Sequence, residues 1–310
     1  MAKRSRISRK VRSTQGRRTR RHRGGEKKCL FINWGKGLGL GNQLFIYTAA
    51  VIIKNKLMNW DLCIPPVVGN PHAEMDYRFL FKQGRAVEKT PEVAQQIGNA
   101  VVLHKNKNIT HGKWKKNDLI INSGDTLSNT SKNLRMKTTE EPEGGYYQNY
   151  ESIEPGIGIV RPEIQAELDS RYGSSNPIEN PDSAAFIHIR HGDYDIYQIM
   201  SPIEYFKAAK ARFQSTPAIQ TIYIISEGSG IEWAKNNGLT EGVQTIEDPD
   251  ELKALYCMSQ CKAGGCISAS TFSVWGAILG PEKNGIVIYP SKWVEINATE
   301  LSFPEKWIQI

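Results

Sequence analysis

The sequence predicts an α/β fold with two halves, each built around a parallel sheet. The first observation is a short apolar run at residues 29–34 that leads through a glycine-rich turn into an apolar helix. The second is an alternation of strand-like and helix-like segments between residues 184 and 290, which is typical of βαβ units. The third is a cluster of polar residues directly after the strand at 184–187, where open α/β sheets bind ligands.

The N-terminal segment differs from the rest of the chain in charge. Residues 1–28 hold 13 of the 40 Lys and Arg residues and one acid, Glu26, so the net charge of +8 is concentrated there. Because it has almost no apolar side chains to bury, we expect a disordered basic tail. Three roles stay open for it: contact with nucleic acid or an anionic membrane, a nuclear-localisation-like run, or a solvating arm. The rest of the chain has 27 basic and 31 acidic residues, which argues against nucleic-acid binding by the body.

Signals for the cellular compartment are few. No apolar region follows the charges of the tail, and no stretch has the ~18 apolar residues of a membrane span. The cysteine count is five, and an odd number favours reduced thiols in a cytosol-like compartment. Cys257, Cys261 and Cys266 lack zinc-site spacing, so core packing is expected for them. The expected localisation is cytoplasmic; the alternative is a peripheral position on an internal membrane, held by the tail.

The first half opens with a strand, a turn and a helix. The strand is predicted at 29–34, the turn at 35–43 and the helix from about residue 44 to 56. Glycines in such a turn let the backbone approach a ligand, and the helix N-terminus offers N–H groups to an anion. The spacing fits neither a dinucleotide fingerprint nor a Walker A loop. Asn42 has two interpretations, an amide that faces a ligand or only the helix N-cap.

The middle of the chain gives weaker signals. Strands are predicted at 100–103 and 118–122, and the tyrosine-rich run at 146–150 is either core or a sugar-stacking surface. A helix is predicted at about 161–170. The polar linker at 173–183 then marks the domain boundary.

The second half begins with a strand at 184–187 that runs into His188, Arg190, His191 and Asp193. Arg190 has a planar donor fork that suits phosphate oxygens. The alternative is a solvated Arg190–Asp193 salt bridge on a surface loop. Next, Ser201-Pro202-Ile203-Glu204 is a capping-box pattern that predicts a helix over 202–214.

The remaining segments continue the strand–helix alternation. Strands are predicted at 221–225, 265–269 and 285–290, with helices at 250–262 and after the hydroxyl-rich turn at 270–273. That turn ends a strand and starts a helix, which makes it a second anion-binding geometry. Asp248-Pro249-Asp250 has the spacing of metal-binding carboxylates, but we favour an exposed turn and a helix N-cap.

These motifs together resemble a known family. In order along the chain, five segments are similar to those of the α1,2-fucosyltransferases, glycosyltransferase family 11: Gly39-Leu40-Gly41-Asn42-Gln43-Leu44-Phe45, Gly145-Tyr146-Tyr147-Gln148, His188-Ile189-Arg190-His191-Gly192-Asp193-Tyr194, Met258–Lys262 with Ser270–Ser273, and Tyr289-Pro290-Ser291-Lys292-Trp293. The resemblance covers about residues 30 to 295. The chain departs from the pattern at His191, where the family has a second arginine, and at Ser226-Glu227-Gly228, where the family often has an acidic pair. It departs again at Ala269, where the family has asparagine, and at Val274, where it has tryptophan.

The resemblance implies a GT-B architecture, two Rossmann-like domains that face each other across a cleft. The implied domains are the tail at 1–28, an N-terminal acceptor-side α/β domain at 29–175 and a C-terminal GDP-sugar-binding domain at 176–310. The implied reaction is inverting transfer of L-fucose from GDP-fucose to the 2-hydroxyl of a terminal galactose or similar sugar. It requires no metal and no cofactor beyond the donor, and its partners are GDP-fucose and a glycan acceptor.

The resemblance also assigns roles to residues. Arg190, Asn42 and Asp193 are the implied catalytic residues, with Arg190 on the GDP β-phosphate and Asp193 either the base or the group that orients Arg190. The implied substrate-binding residues are Gly39, Gly41, Gln43, His188, His191, Ser226, Ser270, Thr271, Phe272, Ser273 and Tyr147. Two alternatives stay open: another GDP-sugar or metal-dependent glycosyltransferase, and a tail-driven protein that binds nucleic acid or an anionic surface.

Overall fold

The structure is a computed structural model and describes most of the chain from Lys28 onward. The described residues are 28–32, 34, 38–57, 60–67, 76–99, 101–103, 134–136, 148, 150–247, 250–281, 284–293, 296–297 and 303–310. Residues 1–27 of the tail, the strand predicted at 118–122, Tyr147 and Asp248 lie outside these ranges.

The first half contains a five-stranded parallel sheet. Its strand order is β3-β2-β1-β5-β4, and every pairing is parallel. The strands are β1 (Lys28–Ile32), β2 (Trp60–Ile64), β3 (Arg85–Ala86), β4 (Val101–Leu103) and β5 (Leu134–Met136). Its helices are α1 (Leu40–Lys56) and α2 (Pro91–Gly98).

The second half contains a six-stranded parallel sheet and a short antiparallel ribbon. The sheet order is β13-β10-β9-β6-β7-β8. The strands are β6 (Ala184–His188), β7 (Thr221–Ser226), β8 (Gln244–Glu247), β9 (Gly264–Cys266), β10 (Ile286–Tyr289) and β13 (Ile308–Gln309), with β11 (Lys292–Trp293) and β12 (Ile296–Asn297) in the ribbon. The helices are α4 (Asp193–Ile196), α5 (Ile203–Gln214), α6 (Gly228–Asn236), α7 (Glu251–Gln260) and α8 (Thr271–Leu279). The central strand β6 is buried at every position, which explains its continuous apolar run.

A long helix, α3 (Tyr150–Tyr172), joins the two halves. It starts well before the predicted residue 161. The prediction missed this first part because Pro155 and Gly156 disfavour a helix on sequence grounds. Tertiary packing overrides that preference: Gly156 lies so close to Thr48 and Ile52 of α1 that a Cβ atom would meet their side chains at 2.8 and 2.9 Å. No described helix, the 23-residue α3 included, is long and apolar enough to cross a membrane.

Several element boundaries differ from the prediction. Helix α1 begins at Leu40, not at residue 44, since Gly39 is its N-cap. The capping box at 201–204 does not form: α5 begins at Ile203, its N-cap is the extended Pro202, and the buried Ser201 hydroxyl makes no hydrogen bond among the described residues. Strand β1 includes Lys28, which the prediction assigned to the tail.

The cysteines follow the prediction only in part. Cys257, Cys261 and Cys266 are free and buried, as expected for core residues. The expectation of a free thiol is wrong for Cys29 and Cys63, which form a disulfide between the neighbouring strands β1 and β2. The spacing of 34 residues gave no sign of this pairing, because it depends on the strand register.

Candidate active site

The polar residues predicted around strand β6 meet at the edge where β6, β7 and β9 end. Ser268, just after β9, connects two of these strand ends through its hydroxyl. The Oγ atom donates to the His188 carbonyl oxygen at 2.8 Å and accepts from the Arg190 backbone N–H at 2.9 Å. Parallel strands bring their carboxyl ends to one edge, which is the usual ligand-binding edge of such sheets.

Arg190 is held at this edge by two neighbours. Its Nη2 atom lies 3.0 Å from Asp193 Oδ1, and its guanidinium carbon lies 5.6 Å from the centre of the Tyr194 ring. The Tyr194 hydroxyl in turn donates to the Ala269 carbonyl oxygen at 3.2 Å. The Arg190 side chain is 23% exposed, so a fixed positive charge is oriented by the protein and still reachable by a ligand.

His188 links the end of β6 to helix α8. Its Nδ1 atom lies 2.5 Å from Ser273 Oγ, and its ring centre lies 5.4 Å from that of Phe272. The imidazole is only 5% exposed. Burial, with a smaller contribution from the nearby Arg190 charge, lowers the pKa of His188 to about 3, so the ring is neutral near pH 7.

The start of α8 is suited to an anion. Its N-cap Ser270 is extended and makes no side-chain cap bond, and the first turn contains no acid. The first N–H groups of a helix have no partner within the helix and carry partial positive charge. Burial raises the pKa of Tyr194. The Arg190 charge and a hydrogen bond with the Ser270 side chain oppose that rise, so Ser270 lies against the Tyr194 hydroxyl.

Asn42 joins the start of α1 to the start of α8. Its Oδ1 atom accepts hydrogen bonds from Thr271 Oγ1 at 2.9 Å and from Gln148 Nε2 at 3.0 Å. Gly41 makes this approach possible, because a Cβ atom there would lie 2.4 Å from the Phe272 nitrogen. Since Gly39 is the N-cap and Asn42 lies in the first turn, the interpretation of Asn42 as only a helix cap is wrong.

The other predicted site residues lie at different distances from this group. His191 is half-buried beside α6, with Nδ1 3.1 Å from Ser229 Oγ and its ring near Trp233. Gln43 is buried and donates to the Leu38 carbonyl oxygen, and the buried Ser226 donates to the Ile189 carbonyl oxygen. These two side chains are bonded to backbone carbonyl oxygens of neighbouring loops. Their predicted contacts with substrate stay predictions.

The connected group therefore contains most, but not all, of the predicted residues. It comprises Gly41, Asn42, His188, Arg190, Asp193, Ser270, Thr271, Phe272 and Ser273. Three further residues are bonded to this group but were not predicted as site residues: Gln148, Tyr194 and Ser268. Two of these belong to quoted motifs, whereas Ser268 lies inside the strand predicted at 265–269 and beyond the end of the observed β9 at Cys266, so the prediction gave no signal for it.

Asp250 has two structural partners outside this group. Its Oδ1 atom accepts from the Leu252 backbone N–H at 2.9 Å, and its Oδ2 accepts from the Tyr172 hydroxyl at 2.7 Å. It is the N-cap of α7, as favoured from the sequence over a metal ligand. Among the described residues, no group of three or more His, Cys, Asp or Glu side chains has the arrangement of a metal site.

Comparison with known proteins places this arrangement in a family. The O-antigen biosynthesis glycosyltransferase WbnK of Escherichia coli is 24% identical over 305 residues, which cover 88% of this chain and 98% of WbnK. The crystal structure of the fucosyltransferase NodZ from Bradyrhizobium matches with a TM-score of 0.50 at 14% identity, over 83% of this chain and 94% of NodZ. That likeness concerns the fold and confirms the expected GT-B architecture. The profile of glycosyl transferase family 11 matches residues 39–310, so the chain belongs to that family.

Proposed function

We propose that this glycosyltransferase moves L-fucose from GDP-fucose to the 2-hydroxyl of a terminal galactose or similar sugar, with inversion and without a metal ion. The observation that carries the proposal is the meeting of two helix starts beside one arginine. Asn42 of α1 is hydrogen-bonded to Thr271 of α8, and Arg190 is held nearby through Tyr194 and Ser270. Such a set of donors and one fixed positive charge suits the diphosphate of a sugar nucleotide.

In the proposed reaction, negative charge develops on the phosphate beside Arg190 and the start of α8. The bond between the sugar C1 and the β-phosphate oxygen breaks, and its electron pair stays on that oxygen as GDP departs. The acceptor oxygen forms the new bond to C1 from the opposite face and loses its proton to a base. Arg190 and the donors at the start of α8 stabilise the negative charge that grows on the phosphate, so the protein supplies what a divalent metal supplies elsewhere.

Asp193 has two candidate roles in this reaction. It could accept the acceptor proton, or it could orient Arg190. The 3.0 Å ion pair to Arg190 supports the orienting role, because it fixes the direction of the guanidinium beside the proposed phosphate site. We therefore assign Asp193 to positioning Arg190 in the proposed site. The base that takes the proton of the acceptor hydroxyl is then expected in the N-terminal, acceptor-side half.

A panel of nucleotide sugars tests the proposal. The enzyme is given GDP-fucose, GDP-mannose and UDP-sugars, with and without lactose and longer galactose-ended oligosaccharides, and GDP or UDP release is measured in excess EDTA. We include the longer acceptors because the E. coli relative acts in O-antigen biosynthesis. The expected result is GDP release from GDP-fucose that depends on a galactoside and persists in EDTA, with an α1,2 linkage in the product by NMR.

Other outcomes would select the alternatives. Turnover of GDP-mannose but not GDP-fucose would point to another GDP-sugar transferase. Loss of turnover in EDTA and recovery with manganese would overturn the metal-free mechanism. Activity that needs residues 1–28, with nucleic-acid binding lost on their removal, would favour the tail-driven alternative.

A further inference from the structure

Three segments that are distant in sequence meet at the Asn42 amide. Gln148, which lies just before α3, donates its Nε2–H to Asn42 Oδ1 at 3.0 Å from 106 positions away. Thr271 at the start of α8 donates its hydroxyl to the same oxygen at 2.9 Å from 229 positions away. One carbonyl oxygen thus accepts from both halves of the molecule.

This pattern determines how the Asn42 amide is oriented. An asparagine has one oxygen with two lone pairs and one nitrogen with two N–H donors. Both lone pairs are used here, and among the described residues Asn42 Nδ2 has no hydrogen-bond partner. If the amide turned over while Gln148 kept its orientation, the Asn42 NH₂ group would face the Gln148 NH₂, and that hydrogen bond would be lost.

We propose that Gln148 is a positioning residue that keeps the two N–H donors of Asn42 directed at an oxygen of the sugar-nucleotide diphosphate. The proposal rests on the proposed function for the identity of the ligand. Asn42 touches the ligand, whereas Gln148 acts only through Asn42. Thr271 can either donate or accept, because a hydroxyl rotates, so Gln148, with its Nε2 toward Asn42 as in this structure, is the partner that selects the direction of the amide.

The position of Gln148 agrees with this role. It is half-buried, lies outside the regular elements and belongs to no hydrophobic core cluster of the described residues. Its loss should therefore change the orientation of Asn42 without removing packing. A glutamate at this position would accept only, which would favour the turned amide and present Asn42 Oδ1, an oxygen, to the anionic ligand.

A double-mutant cycle tests the coupling. Gln148→Met keeps shape and removes the donor, and it is measured alone and together with Asn42→Ala, with GDP affinity by calorimetry, kcat and KM for the donor, and the melting temperature. We expect Gln148→Met to lose roughly tenfold in GDP affinity or kcat, on the scale of one hydrogen bond, and to lose nothing further in the Asn42→Ala background. Gln148→Glu should lose more than Gln148→Met. Gln96→Met, on the exposed face of α2, is the matched control and should behave as the parent.

The outcomes separate this inference from the function it rests on. A Gln148→Met effect that persists in full in the Asn42→Ala background, a parent-like Gln148→Glu enzyme, or a marked drop in melting temperature would overturn the positioning role. If GDP binds and the cycle shows the coupling but GDP-fucose is not turned over, only the proposed function fails. If the parent protein does not bind GDP, both fail.

Discussion

Helices α7 and α8 pack against each other in the second half, yet they begin in opposite ways. Helix α7 is capped at its N-terminus by Asp250, whose carboxylate accepts from the Leu252 N–H. Glu251 adds a second acid in the first turn. Helix α8 begins at an extended Ser270 that makes no side-chain cap bond and has no acid in its first turn.

The difference shows how one half can hold both a stabilising helix and a binding helix. A carboxylate at a helix start satisfies its N–H groups and places negative charge where an anionic ligand would have to sit. An uncapped start keeps that positive end available. The first turn of α8 is contacted through its hydroxyls: Asn42 accepts from Thr271 Oγ1, and His188 Nδ1 lies 2.5 Å from Ser273 Oγ.

The binding role proposed for the start of α8 and its neighbour Arg190 is tested most sharply by Arg190→Ala. Because Arg190 is proposed to stabilise charge that grows on the departing phosphate, its loss acts on the transition state more than on the bound donor. We expect kcat to fall by roughly 100-fold or more, as for the loss of one preorganised donor, with an unchanged melting temperature. Arg190→Lys should recover part of the rate, since it keeps the charge but not the fork. Parent-like turnover by a normally folded Arg190→Ala protein would reduce Arg190 to a surface ion-pair residue.

The junction of the two helix starts can be broken with one methyl group. Gly41→Ala puts a Cβ atom 2.4 Å from the Phe272 nitrogen, and backbone cannot move away as a side chain can. We expect a loss of about 1–3 kcal/mol in the free energy of unfolding, with a fall in kcat. Gly158→Ala is the matched control, because a Cβ atom there meets nothing within 4 Å, and it should stabilise α3 slightly. Equal stability of the two variants would show that α1 and α8 are not in close contact.

The α7 side is tested by Asp250→Ala. Removal of this N-cap should cost about 1 kcal/mol of stability in urea unfolding, and Asp250→Asn should recover most of it. Turnover and its behaviour in EDTA should match the parent, because Asp250 caps α7 through the Leu252 N–H and accepts from the Tyr172 hydroxyl, which are structural contacts. A large loss of turnover at normal stability would revive the metal-binding interpretation of the 248–250 segment.

A further test of the α8 contacts concerns His188 and pH. Its pKa is about 3 in the folded protein and 6.5 as the ordinary value, so the unfolded chain binds the proton first as the pH falls. Folded-state stability should therefore decrease from pH 6.5 towards pH 3, by at most about 1.4 kcal/mol per pH unit from this group. Urea midpoints across that window should fall less steeply in His188→Gln than in the His191→Gln control. Equal slopes would mean that His188 accepts a proton readily in the folded protein.

Much of the second half followed from its sequence. Strands β6, β7, β9 and β10 and helices α7 and α8 lie where the apolar runs predicted them, because strands buried on both faces read as continuous apolar segments. The polar cluster after β6 was located for the same reason: in a parallel sheet the strand ends share one edge. The short α4, the helix α6 and the edge strand β8 were missed.

The first half was harder, and the reasons are physical. Strands β2 and β5 were missed in a segment with scattered proline, glycine and lysine, and the start of α3 was hidden by Pro155 and Gly156. Contacts that depend on tertiary distance could not be derived from local pattern. The disulfide of Cys29 with Cys63 and the hydrogen bonds to Asn42 from Gln148 and Thr271 are of this kind.

Helix α3 has a consequence for how the molecule loses its structure. Its Glu167 pairs with Lys82 of the first half at 2.9 Å, while its Gln165 and Arg161 donate to Ser259 and to the Leu279 carbonyl oxygen of the second. One continuous apolar core includes residues of both sheets and of α3. We therefore expect the described body to unfold in a single cooperative step, with neither half persisting alone. The site would then have no local stability of its own, and a damaging substitution in either sheet would reach the chemistry through the shared folding equilibrium.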